Sequence, residues 1–194
     1  MENTNDPIEN PKRKGAFIWD LIKFCLISLA IVLPVRLFIA QPFIVSGKSM
    51  YPTFDNGQYL IVDEITYKLE DPKRGDVIIF HFPNNQKEYF IKRIIGLPGE
   101  TISISDGKVN IVNEANKDGF SLTEPYMDSK LSDMAPKTLS DTDYFVMGDN
   151  REASYDSRAW GTLSHDLIVG RALVRLVPFN DAALFPGKYQ YTNE

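Results

Sequence analysis

The feature that most constrains this chain is an apolar run near its amino terminus. A polar stretch ends in Lys12-Arg13-Lys14, the sequence turns apolar at Phe17, and Phe24 to Val35 carries no charge. Phe24–Val35 alone is too short to cross a bilayer core of about 30 Å. At about 1.5 Å per residue, Trp19 to Ala40 is long enough. Lys23 lies near the cytoplasmic end and Arg36 near the far end, where long side chains reach the headgroups. Asp20 sits at the entry, beside the interfacial anchor Trp19, and a membrane helix tolerates the kink at Pro34. A cleaved signal peptide fits poorly, because Phe38-Ile39-Ala40 places Phe where a small residue is needed. A buried core helix fits poorly too, since the run has no polar face and follows a basic cluster. The sequence therefore predicts a tail over 1–16, an uncleaved transmembrane anchor over 17–40 and a separate domain over 41–194. The positive charges before the span place the amino terminus in the cytoplasm and the domain outside the cell membrane.

Composition narrows what that domain does. Hydrophobic residues are 43% and charged residues 24% of the 194, which excludes wholesale disorder. The net charge is −5, against the basic surplus of a nucleic-acid binder, so no nucleic-acid partner is expected. The one cysteine, Cys25, lies in the apolar run, so no internal disulfide, Cys/His dyad or zinc cluster is expected. With only His81 and His165 a His-rich metal site is equally unexpected, and no cofactor is implied.

Residues 41–194 read as mainly antiparallel β. Alternating, β-branched or aromatic segments recur at Phe43–Val45, Tyr59–Asp63, Val77–Phe82, Glu88–Ile95, Ile102–Ile104, Val109–Val112, Tyr144–Met147 and Ala172–Val177. Asp106-Gly107 is a hairpin signal, and Pro72–Asp76 and Gly96–Glu100 are turns. Only Met50–Asp55 and Ser164–Val169 suggest short helical turns. Residues 113–143 read as a polar insertion or flexible lobe.

Three segments could carry chemistry. Ser46-Gly47-Lys48-Ser49-Met50-Tyr51-Pro52-Thr53 sets a serine between a glycine and a proline, where a turn can present its hydroxyl; Ser-Gly turns are also common without function. Lys92 shares a strand face with Phe90 and Ile94, while Tyr89, Ile91, Arg93 and Ile95 share the other. A lysine there is either an edge residue that snorkels or a desolvated amine whose lowered pKa makes it a usable base. Gly148-Asp149-Asn150-Arg151-Glu152-Ala153-Ser154-Tyr155-Asp156-Ser157-Arg158 is a dense polar loop, either a solvated turn or a hydrogen-bonded site. His81 reads as a strand histidine and His165 as part of a capping turn, so a base other than histidine is expected.

Together with Lys-Arg-Ile-Ile-Gly-Leu-Pro-Gly-Glu from Lys92, these segments resemble the type I signal peptidases, membrane-bound serine proteases of the Ser/Lys type. The resemblance spans nearly the whole chain, and the single anchor and compact domain are similar to the Gram-positive bacterial branch. It implies Ser49 as nucleophile and Lys92 as general base, with Ser154 hydrogen-bonding the lysine amine. Asp156 and Arg158 would hold that loop by a salt link, and Arg93 and Gly148–Arg151 would be structural. Phe43, Val45, Phe90 and Ile91 would line shallow pockets for the small residues before the cut. The implied substrates are secretory preproteins cleaved after Ala-X-Ala-like sites. Membrane lipid and the secretion translocon would be neighbours. Gly47 departs from members that carry a serine there to bind the oxyanion. Two rivals remain at this point: a self-cleaving regulator using the same pair, and a membrane-tethered β binding module without catalysis. The first is usually soluble with a DNA-binding half, and the second needs no lysine on an apolar strand face.

Overall fold

The computed structural model describes residues 11–34, 40–127 and 131–191. Helix α1 (Pro11–Pro34) belongs to one unit and the chain from Ala40 onward forms a second. The helix begins inside the predicted tail, at a proline, whose missing N–H costs nothing in a first helical turn. Among the described residues no helix is long and apolar enough to cross a membrane. The predicted anchor runs on through residues 35–39, which lie outside the described residues, as does Arg36 with them.

The second unit is mainly antiparallel β, as the alternation predicts. Its strands are β1 (Ala40–Ile44), β2 (Tyr59–Asp63), β3 (Val77–Phe82), β4 (Asn85–Gly96), β5 (Thr101–Ser105), β6 (Lys108–Val112), β7 (Phe120–Ser121), β8 (Met134–Thr138), β9 (Asp143–Met147), β10 (Leu163–Ser164), β11 (Ile168–Val177) and β12 (Ala183–Leu184). A larger sheet has the order β1-β2-β11-β3-β4-β9-β10, with β12 on β11, and a smaller one the order β7-β6-β5-β8. Asp106 and Gly107 both take positive φ between β5 and β6, the tight hairpin their sequence predicts. A short helix α2 (Ser157–Trp160) follows the polar loop, capped by the Asp156 side chain.

Strand β4 is the spine of the site. Its first half is exposed, and it becomes buried from Lys92 onward, where β3 and β9 flank it. Two apolar clusters pack against the larger sheet. One is built on Val45, Met50, Phe54 and Leu60, the other on Ile78, Phe80, Ile94 and Val146.

Residues 113–143 are no flexible lobe where they are described. They contribute β7 and β8 to the smaller sheet and bury Leu122, Leu131 and Leu139 against Ile95, Ile102 and Phe145. They also bury Glu124, which forms a two-pronged ion pair with Arg151 of the polar loop. The charges that made this segment read as solvated are partly matched across the fold.

Candidate active site

Ser49 lies in the turn after β1, half-buried, with Val45 and Met50 buried on either side of it in sequence. Those apolar neighbours sink into the core beneath the larger sheet, which fixes the turn. Lys92 projects from β4 opposite Ile78 and is 4% exposed. Its Nζ lies 2.7 Å from Ser49 Oγ and 3.0 Å from the Ile91 carbonyl. The sequence separation of these two groups is closed by the β1–β2 hairpin and the central position of β4.

Burial lowers the Lys92 pKa to about 8, although the charges of Asp156 and Asp149 act to raise it. Desolvation therefore wins over two nearby carboxylates. Between about 8 and the ordinary value of 10.5 the unfolded chain binds more protons than the folded one, so stability rises with pH across that window. Below the folded pKa the full cost, about 3 kcal/mol, is present. Lys92→Met removes the charge and keeps the length. It is expected to be at least as stable as the wild type at pH 7 and to lose this rise. Thermal unfolding at pH 7 and pH 9.5 checks it; a lower Tm at both values would mark Lys92 as a charged, paired residue.

The polar loop holds the serine from behind. The Asn150 N–H donates to the Ser49 carbonyl at 3.0 Å, and Asn150 Nδ2 donates to the Lys48 carbonyl at 3.1 Å. Because the peptide is planar and trans, fixing the Lys48 carbonyl also fixes the opposite direction of the Ser49 N–H. That N–H donates to no protein group among the described residues, whereas the Gly47 N–H donates to Asn56 Oδ1 at 2.9 Å. Gly148 permits the close approach: a Cβ there would stand 2.3 Å from both the Ser49 carbonyl oxygen and Ser154 Oγ.

Asp156 is fully buried and faces Arg158, with Nε and Nη2 at 2.8 Å from its two oxygens. It also accepts from the Gly148 N–H at 3.1 Å. Burial pushes its carboxyl up, but Arg158 and the Gly148 N–H outweigh this and hold it below the usual carboxylate range. The structure thus brings Asp156 and Arg158 together as expected. Ser154 stands differently. Its Oγ is buried near Asp156 and meets no partner in hydrogen-bond geometry, so the expected bond to the Lys92 amine is not made here.

Arg93, next to Lys92, is 1% exposed and paired twice with Asp149, at 2.8 and 2.6 Å. Asp149 also accepts from Thr53 Oγ1 at 2.5 Å, which ties the serine turn to β4. Burial disfavours the Arg93 charge, yet Asp149 more than compensates and its pKa is raised. Sequence reasoning gave Asn150 only a structural part, within Gly148–Arg151, and passed over Glu124. Asn150 stood inside the polar loop, and Glu124 carried no signal.

A cleft of about 480 Å³ opens on the pair. Phe43, Val45, Phe90 and Ile91 line it, together with Ser49 and Lys92. The Phe43 and Tyr89 rings, both in its lining, meet edge to face at 5.2 Å. Neither histidine lines it.

Comparison with known proteins places the chain in a family. A family model described as "Signal peptidase, peptidase S26" matches residues 18–177. A signal peptidase I of Leptolyngbya laminosa is 38% identical over 182 residues, covering 90% of this chain and 87% of its own. Signal peptidase I T of Bacillus subtilis is 33% identical over 193 residues, covering 93% and 95%. A crystal structure of a signal peptidase I from Enterococcus faecalis aligns with 53% of this chain and 97% of its own, at 32% identity and a TM-score of 0.43. The resemblance read from three motifs is borne out: the chain belongs to the signal peptidase family, peptidase S26, a serine endopeptidase that removes signal peptides.

Proposed function

We propose that Ser49 is the nucleophile and Lys92 the general base of this endopeptidase, acting on secretory preproteins at the outer face of the membrane. The observation that carries the reading is the 2.7 Å approach of a buried amine, its pKa lowered to about 8, to a serine hydroxyl in a cleft. About a tenth of such an amine is neutral at pH 7, enough to act as a base.

Neutral Lys92 takes the Ser49 proton as Oγ attacks the scissile carbonyl. The oxyanion forms against the Ser49 N–H, whose direction Asn150 sets. The protonated amine then gives its proton to the leaving nitrogen, and the mature protein departs. Water, deprotonated by Lys92, cleaves the acyl ester and frees the signal peptide. Asp156 and Arg158 keep the loop in place, and Ser154 supports the pair from the Gly148 side.

The anchor belongs to the same proposal. Large apolar side chains of α1, from Phe17 through Phe24 and Ile27 to Leu33, are exposed on all its faces, so water is a poor medium for it. With the residues that follow, α1 would hold the chain in one membrane with its substrates, close to lipid and the secretion translocon, and raise their effective concentration. The amino terminus would face the cytoplasm and the β unit the exterior.

On this reading Phe43, Val45, Phe90 and Ile91, bulky groups that line the cleft, form shallow pockets for small side chains. The purified chain in detergent is expected to cut a model preprotein once, after an Ala-X-Ala site, as read by sequencing the product's amino terminus. Leu or Phe at the first or third position before the cut should stop it. Efficient cutting of those substrates would remove the four residues from the pocket.

A further inference from the structure

Residues 185–191 lie beyond the segment that the family model matches and take no part in the steps above. They are nonetheless tied to both sides of the site. The Phe185 N–H donates to the Leu173 carbonyl at 2.7 Å, and the Arg171 guanidinium lies 5.1 Å from the Phe185 ring centroid. Pro186 is buried. The Gly187 carbonyl then accepts from Arg93 Nη1 at 2.5 Å, beside the Gly75 carbonyl, which accepts from the same nitrogen at 2.8 Å. Tyr189 presses its carbonyl so close to Gly75 that a Cβ there would stand 2.0 Å away.

Tyr191 reaches the other side. Its hydroxyl lies 2.5 Å from that of Tyr126, which donates to Glu124 at 2.7 Å and lies beneath the Arg93 guanidinium, 4.1 Å from ring centroid to Cζ. Glu124 pairs with Arg151, and Arg151 Nε donates to the Gly148 carbonyl at 3.0 Å. Gly148 is the residue packed against Ser49 and Ser154. One short segment therefore ends on two lines, one leading to the neighbour of Lys92 and the other to the backing of Ser49.

We infer that residues 185–191 form a strap that positions the Lys92–Ser49 pair and keeps water from the Lys92 amine, an inference that rests on Lys92 being the base. Arg93 and Lys92 are consecutive on β4, so the acceptors around Arg93 fix the strand segment from which the amine projects. Releasing the strap removes one of those acceptors and unties Tyr126 from Tyr191. The strand and the polar loop then loosen together, and water reaching the amine raises its pKa toward the ordinary lysine value.

The test uses the full chain in detergent, a chain ending after Pro186, and Tyr191→Phe. Cleavage of a preprotein is followed against pH, with KM and kcat separated. The shortened chain is expected to lose about 100-fold in kcat with KM within about twofold, as small misplacements far from the chemistry do. Its pH midpoint should move upward from that of the full chain. Tyr191→Phe keeps the ring and loses one hydrogen bond, so it should lose about 3–10-fold in kcat with the midpoint moved the same way. If the shortened chain does not fold, Tyr191→Phe decides. An unchanged midpoint, with or without a lower kcat, overturns the strap, because a fold merely less populated leaves the surviving enzyme's titration alone. Lys92→Ala run alongside separates the two readings. If it stays active, the base assignment fails and takes the strap's role with it; if it is dead while the midpoint is unmoved, only the strap fails.

Discussion

Ser49→Ala and Lys92→Ala are each expected to abolish cleavage, by about 10³-fold or more, and the double variant should be no slower than either. A nucleophile and its base form one reacting unit, so removing the second member after the first removes nothing further. The geometry argues for this strongly, because among the described residues Lys92 Nζ has only the Ser49 hydroxyl and the Ile91 carbonyl as hydrogen-bond partners. No carboxylate holds it by a direct bond, which is how a structural lysine would be kept charged. Both variants should fold, since a small hydroxyl and a destabilising buried amine are what is lost. Gel or mass analysis of the cleaved preprotein reads the result. Activity at the level of a percent in Lys92→Ala would defeat the pairing.

Asp149→Ala is expected to cost about 3–5 kcal/mol of stability. The carboxylate is 2% exposed and holds both prongs of a guanidinium that is 1% exposed, so its removal leaves a charge buried without its counterion. Thr53 loses its acceptor at the same time, and the serine turn loses its tie to β4. For a chain of this size the loss corresponds to a fall in Tm of about 10 °C. Thermal unfolding measures it, and a fall under about 2 °C would show that Arg93 is held by the Gly75 and Gly187 carbonyls alone.

Much of the fold was legible because long strands announce themselves. Tyr59–Asp63 and Val77–Phe82 were readable to the residue, and the Asp106-Gly107 turn by its chemistry. The short strands were not. Phe120–Ser121, Leu163–Ser164 and Ala183–Leu184 are two residues each, too short for any period to show. Met134–Thr138 contains Pro136, which argues against a strand unless it lies at a sheet edge, as β8 does.

The site divides in the same way. The parts of Ser49, Asp156 and Arg158 came with the family resemblance, whereas Lys92 and the polar loop stood out by conflict with their surroundings: a lysine among apolar neighbours, a polar run after an apolar strand. Glu124 and Tyr126 did not, because a charge in a polar segment looks solvated until the partner across the fold is known. Arg151 is that partner, and no local pattern links them. The role of Asn150 lies in two backbone carbonyls, which the sequence cannot display.

The central claim is that a neutral Lys92 takes the proton from Ser49, and the pH dependence of the acylation rate tests it most directly. Mixing enzyme in excess with a labelled preprotein and following the first cut from pH 5 to pH 10.5 isolates that step. The account predicts a rate that rises with pH and levels off, with a single midpoint near the Lys92 value of about 8. A midpoint near 6.5, where an unperturbed histidine titrates, or a rate independent of pH over this range, would contradict it.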